Sequence, residues 1–357
     1  MKINFPIKNL SFSMLFLSTA LIAEDRISLM TYNVENLFDT SHDEGKDDYT
    51  YLPQSLKKGA LKDQVKKSCG ALKAPVWRKE CLELDWNDEL LGIKMQQIGS
   101  VVRQIQTSRG NGPDLLFMQE VENFNVFKQF VESQTPDAGY YGVLLEASDP
   151  RGIDSAFLSR FPISQKRAPQ LHPIITESGS QLARGVLEVT VDLPDGTPLT
   201  ALVFHFPAAY HPTDKREAAL RTLNQIRETI PSNHIVVGGG DSNITDKEEN
   251  KNGILRSITR PFWTLIEDFC QGCAGTEYYE KDKSWSFFDR FMVSQGGAGR
   301  AKSHAWNIDS NSARVVTSAP GQIDFEGHPI RFNPDANNGE ERGMSDHLPF
   351  TFDLIKQ

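Results

Sequence analysis

The chain has 357 residues, 39% of them hydrophobic and 24% charged, with 26 glycines and 19 prolines, an ordinary globular composition that excludes fibrous and disordered classes. Its 38 basic and 47 acidic residues leave a net charge of −9. No global positive field draws such a protein to nucleic acid or anionic lipid, so any polyanion must be met by a local patch.

In chain order, Lys2 and Lys8 precede an apolar run, Leu10 to Ala23, that stops at Glu24, Asp25 and Arg26. A charged start followed by a short apolar stretch reads as a secretory signal over residues 1–23, although Leu21 is larger than the residue usual near such a cleavage point. The run falls short of the ~20 apolar residues a membrane span needs, so no stable membrane span is expected. Cleavage would remove two lysines and no acids, taking the charge to −11. The expected location is the periplasm or the medium, and residues 24–357, with no internal repeat or linker, are expected to form one domain. In an oxidising compartment the four cysteines read as disulfides, and proximity favours Cys69 with Cys81 and Cys270 with Cys273 over the two other pairings. A four-cysteine zinc site fits less well, because Cys69 and Cys81 lack the close spacing of the Cys270–Cys273 pair.

Ile27 to Val34 predicts a strand whose tip presents Asn33 and Glu35. An acidic stretch, Asp39 to Asp48, follows; residues 57–79 then carry eight lysines or arginines against the single acid Asp63. That asymmetry reads either as a solvated helix face or as a phosphate-contact surface. Apolar residues at helical spacing from Leu90 to Ile105 predict an amphipathic helix, and Asp114 to Glu120 a strand buried on both faces. Further strands are predicted at 141–147, 155–158, 185–193, 199–206, 234–238, 287–293 and 348–354, and helices at 123–134 and 213–230.

Polar residues recur at the ends of these apolar strands: Asn33, Glu120, His205, Asp241 with Asn243, Asp289, and Asp346 with His347. One such residue is a boundary or a satisfied packing residue. Several at strand ends are the oxygen ligands and imidazoles that a hard cation and a phosphate require at one edge of a scaffold.

At these positions the chain resembles the endonuclease/exonuclease/phosphatase superfamily. TYNVENLFD (31–39) resembles its first motif, MQEVEN (118–123) its Q-E motif, RGIDSAFLSRFPI (151–163) its strand hairpin, VFHFP (203–207) its histidine strand, GGDSN (239–243) its G-D-x-N motif, and FFDRFMVS (287–294) with SDHLPF (345–350) its closing pair. The resemblance implies an α+β, DNase I-like fold: two packed mixed β-sheets flanked by helices in four layers. It departs at Ser242, where the family more often carries a bulky apolar residue and altered packing is expected, and at about 40–86, between the first motif and the first helix, much of which reads as an insertion relative to the family. It further implies Glu120 as principal metal ligand, assisted by Asn33 and Asp346, with Mg²⁺ the expected ion and Mn²⁺ or Ca²⁺ as alternatives. Asp241 and Asn243 would orient water and phosphate, and two imidazole–carboxylate dyads, His347 with Asp289 and His205 with Asp154, would flank the scissile bond. Arg151 would clamp a phosphate oxygen.

The function these readings favour is a secreted magnesium-dependent phosphodiesterase acting on DNA, with RNA as a further substrate. It is expected to act as a monomer without a protein partner. The alternative is a phosphatase or phospholipase C-type hydrolase of inositol phosphates or sphingomyelin. The W-C-D-R element of the inositol phosphatases is broken here, with Asp289 and Arg290 alone retained, and Trp263, Trp285 and Trp306 offer no obvious aromatic tip for entering a membrane. A catalytically dead binding module would predict a substitution among Glu120, Asp241, Asn243, Asp289 and His347, and the sequence has none.

Overall fold

In a computed structural model the described residues are 26–295, 305–336 and 341–356; the segment expected to be a signal, 1–23, lies outside them. From the amino-terminal side come β1 (Arg26–Leu37), the helices α1 (Gln54–Lys58), α2 (Lys62–Ala71), α3 (Pro75–Glu83) and α4 (Asp88–Val102), and a small hairpin of β2 (Gln106–Thr107) and β3 (Gly110–Asn111). Next are β4 (Leu115–Val121), α5 (Phe124–Gln134), β5 (Tyr141–Leu144), β6 (Asp154–Ser159), β7 (Gln170–His172), β8 (Val186–Asp192) and β9 (Pro198–His205). The remainder is α6 (Thr213–Thr229), β10 (Ile235–Asp241), α7 (Asp246–Asn252), β11 (Trp263–Leu265), the hairpin β12 (Glu277–Tyr279) and β13 (Ser284–Ser286), β14 (Asp289–Ser294), β15 (Trp306–Val315) and β16 (Phe350–Lys356).

Two six-stranded sheets, ordered β15-β16-β1-β4-β6-β5 and β11-β14-β10-β9-β8-β7, pack face to face. Both are mixed: β1 runs parallel to β4 and β9 to β10, while β16, β6, β14 and β8 run antiparallel to those neighbours. The period-2 alternation of each central strand sends side chains to both faces. Ile27, Leu29, Leu115 and Phe117 meet Val189, Ala201, Val203 and Val237 between the sheets. On the outer faces, Met30, Tyr32, Leu116 and Met118 pack under α4 and α5, and Leu202, Phe204 and Val236 under α6. Helix, sheet, sheet, helix is the expected four-layer order. Coverage on both faces is why these strands read as near-continuous apolar runs.

The expected helix at 123–134 begins one residue later, because Asn123 is its cap and accepts the Val126 N–H at 2.9 Å. Asn87 caps α4 in the same way, and that helix stops at Val102 instead of Ile105. The region of the expected insertion holds α1, α2 and α3, closed by the Cys69–Cys81 disulfide; Cys270 pairs with Cys273. Its own core is small, centred on Val65, Cys69 and Cys81. Lys57 does not belong to a basic surface, as its Nζ is buried and donates to the carbonyls of Thr50, Cys81 and Leu84 at 2.8–2.9 Å.

Candidate active site

Strand direction collects the site. Asn33, Glu120, His205 and Asp241 lie at or near the carboxyl ends of β1, β4, β9 and β10. Asp154 and Asp289 open the antiparallel strands β6 and β14, and His347 lies just before β16, so all arrive at one edge of the sandwich. In the second sheet, Asp241 is the register partner of His205 on one side and of Asp289 on the other. The two sheets are tied together at this edge: Asn33 Nδ2 donates to Asp241 Oδ2 at 3.0 Å.

The backbone is bent to achieve this. Register shifts occur between Asn33 and Leu37 of β1 and between Gln119 and Val121 of β4. Glu35, Asn36, Glu120 and Asn243 have φ of 52°, 59°, 65° and 51°. Such bulges and left-handed residues cost of order 1–3 kcal/mol each and re-aim side chains out of the pleat. Gly240 is required by close approach, since a Cβ there would lie 1.9 Å from the Phe204 carbonyl oxygen.

Asp241 is fully enclosed. Its Oδ2 also accepts from Asn243 Nδ2 at 2.9 Å and its Oδ1 from the Asn243 N–H at 2.8 Å, while His205 Nε2 stands 3.4 Å away. His347 Nδ1 bonds Asp289 Oδ2 at 2.7 Å, leaving Nε2 3.9 Å from both Asp241 and Asp346. Ser345 orders this turn, donating from Oγ to the Asn33 carbonyl at 2.7 Å and accepting the His347 N–H at 3.1 Å.

The two imidazoles are driven in opposite directions. Burial alone would lower His347, but the Asp289 carboxylate, with Asp241 and Asp346, holds it well above its ordinary value. Burial, then the positive charges of Arg184, His347 and Arg151, push His205 well below. Burial raises Asp241 to about 7, with His347 opposing.

One expected dyad forms and one does not. His205 Nδ1 and Asp154 Oδ2 are both buried without a hydrogen-bond partner, so Asp154 does not support His205 directly. Asp154 Oδ1 instead accepts the Ala147 N–H at 2.7 Å, and burial raises this carboxyl to about 7. Arg151 is exposed at the rim and pairs with no carboxylate among the described residues. Ser242 is fully buried; its Oγ donates to the Phe288 carbonyl at 2.9 Å and accepts from Arg290 Nε at 2.9 Å. Arg290 is therefore a packing cation, paired also with Glu267, and the retained D-R pair does not place an arginine on the substrate. Trp263 and Trp306 are buried, and Trp285 packs against Tyr278 and His328.

Several residues had no role assigned from the sequence. Glu35 Oε2 accepts the N–H groups of Asp346 at 3.1 Å and Phe332 at 3.0 Å, while Oε1 takes the Arg331 guanidinium at 2.6 Å. Thr276 Oγ1 accepts the N–H groups of Phe288 and Asp289 at 3.0 and 2.9 Å. Arg184, 3.2 Å from Asp149, keeps a buried Nη1 without a partner near His205. Only Glu35 had a signal, as the acid presented with Asn33 at the tip of the first strand.

Residues 81–356 match the model described as Endonuclease/Exonuclease/phosphatase family. The chain belongs to the endonuclease/exonuclease/phosphatase family. Among solved structures it resembles an endonuclease/exonuclease/phosphatase from Beutenbergia cavernae (TM-score 0.55, 15% identity, 93% of this chain and 72% of that one). It resembles equally a family protein from Bacteroides thetaiotaomicron (TM-score 0.55, 13% identity, 94% and 99%). A humanized D. rerio TDP2 also matches (TM-score 0.51, 14% identity, 93% and 99%). At these identities the likeness is one of fold. No curated protein matches the sequence. As a member of the family, the chain is a phosphodiester hydrolase.

Family members generally depend on a divalent metal ion. The residues here fit one: Glu120 keeps a partly exposed carboxylate, 3.5 Å from Asn33, with Oε2 steadied by the Asn36 N–H at 3.0 Å. Asp346 offers a second partly exposed carboxylate, 3.6 Å from Arg331 Nε. An oxygen-only donor set suits a hard cation. Asn33, whose amide already serves Asp241 and the Glu35 N–H, is a clamp between carboxylates as much as a ligand.

Proposed function

We propose that this chain is an exported, magnesium-dependent phosphodiesterase whose substrate is nucleic acid, DNA foremost. The observation that carries this reading is the paired-histidine edge, where His347 bonds Asp289 and His205 stands 3.4 Å from Asp241, with exposed Arg151 among the charges acting on His205. Within the insert, residues 58–73 carry the exposed Lys58, Lys62, Lys66, Lys67 and Lys73 against the single acid Asp63, a local cluster of the kind an acidic chain needs to meet a polyanion.

Hydrolysis bonds a water oxygen to phosphorus and releases the ester oxygen, which leaves with a proton. His347, paired with Asp289, hydrogen-bonds the leaving ester oxygen and gives it the proton with which it departs. His205, kept neutral beside Asp241, accepts from the attacking water, and Asp241 fixes that water with Asn243. A bound cation at Glu120, with Asp346 and Asn33 around it, would supply electrostatic stabilisation of the charged phosphate oxygens.

Nicking of supercoiled plasmid by residues 24–357 with Mg²⁺ tests the proposal, beside an EDTA control and His347→Ala. Metal-dependent nicking lost in the variant supports it. Intact plasmid together with hydrolysis of inositol phosphate or sphingomyelin overturns the substrate and leaves the phosphodiester chemistry standing. Export is tested separately by sequencing the amino terminus of the mature protein, expected at Glu24.

A further inference from the structure

The β12–β13 hairpin stands at the catalytic edge with no role yet assigned. Its base is built into the site: Glu277 forms a bridge with His347, the Leu348 N–H donates to the Thr276 carbonyl at 2.7 Å, and Thr276 Oγ1 accepts the Asp289 N–H. Its two faces differ. Tyr278 and its cross-strand partner Trp285 share one face, and Tyr278 stacks on His328 at 3.6 Å with planes 7° apart, so that face is filled.

By strand alternation Glu277 and Tyr279 share the opposite face. Glu277 looks onto the catalytic centre: burial raises its carboxyl to about 7, and His347, Asp346, Asp241 and Asp289 all act on it electrostatically. Tyr279 therefore projects from the site side of the hairpin, ~7 Å further out along the strand. It is 49% exposed, makes no ring contact among the described residues, and faces only the small Ser284 across the ladder. At the hairpin tip Lys281 is exposed without a carboxylate partner among the described residues. An exposed aromatic on the strand bridged to His347, with a lysine two residues on at a tip whose acids Glu280 and Asp282 pair with Lys283 and Lys247, is the equipment that holds an unpaired base and its backbone.

We infer that Tyr279 is a substrate-contact residue that stacks on the nucleobase next to the scissile phosphate, and that the preferred substrate is single-stranded or frayed nucleic acid. A base inside an intact duplex has both faces covered by its neighbours and cannot offer one to the ring. The inference rests on the nucleic-acid reading above and adds a strand preference and a contact to it.

The test is steady-state cleavage of oligonucleotides by the full chain, with each nucleotide around the cleaved bond carrying either its base or an abasic sugar. Tyr279→Ala is expected to raise KM roughly 5- to 140-fold on the intact single strand and to change kcat by less than about twofold. Tyr279→Trp is expected to restore KM. On the oligonucleotide abasic at the contacted position, the alanine variant and the wild type are expected to be equal, because the ring then has no base to lose. Equal losses on every oligonucleotide, an unchanged KM in Tyr279→Ala, or wild-type cleavage of duplex as efficient as of single strand would overturn the inference alone. No cleavage of any oligonucleotide by a wild type that hydrolyses another phosphodiester would overturn the nucleic-acid reading on which it rests.

Discussion

The strand-end centre and the helical insert are both polar and rich in charge, yet they are held by different physics. At the centre, strained residues such as Glu120 and Asn243 are over-determined by two sheets that share an apolar core, and Asp241 and His347 are held by Asn243 and Asp289. The insert has a three-residue core, and what closes it is covalent and polar: Cys69–Cys81 and the Lys57 ammonium under three carbonyls. A large apolar scaffold can afford local strain where chemistry needs it. A small one needs staples.

The contrast predicts that changes at the centre remove activity with little loss of fold, and changes in the insert do the reverse. His347→Ala should show the largest effect, a fall in kcat of about 10²- to 10⁴-fold, with the melting temperature nearly unchanged; a collapse of the fold would make His347 structural. Replacing both Cys69 and Cys81 by serine should destabilise the insert by about 3 kcal/mol, given the sequence separation of 12. Limited proteolysis should then cut within residues 54–83 while hydrolysis of a small diester persists. Lys57→Met orphans three carbonyls and should cost about 1–3 kcal/mol, read by denaturant unfolding.

The finest test concerns pH. The folded-state pKa of His347 is raised, so the stability it contributes is fully present below its unfolded value of about 6.5 and is lost as pH rises through the folded value. NMR titration of the metal-free chain should show the His347 imidazolium persisting well above neutrality. Asp289→Asn should move that titration downward and shift the alkaline limit of activity with it. An unmoved midpoint would show that Asp241 and Asp346, not Asp289, hold the charge.

Most of the site was legible because its residues close apolar runs. Glu120 ends a strand that has no polar reason to stop there, and Asp241 follows a glycine run that only close strand packing demands. The edge strand β15 was missed for the converse reason: Trp306–Val315 is half solvated and polar, so it carries no alternation to read. Thr276 and Arg331 were missed because each matters through a partner distant in sequence, at Asp289 and Glu35.

The sequence by itself determined the layers, the family and the residues that reach the catalytic edge, since hydrophobic period and motif order are local properties that survive without coordinates. Tertiary structure alone decided which expected pairings hold. It kept Asp289 with His347 and withheld Asp154 from His205, took Lys57 out of the basic face, and set Tyr279 on the catalytic side of its hairpin. Which oxygen meets which nitrogen depends on bulges, register and burial, and a few ångströms across the joined edges of two sheets are written in no single stretch of chain.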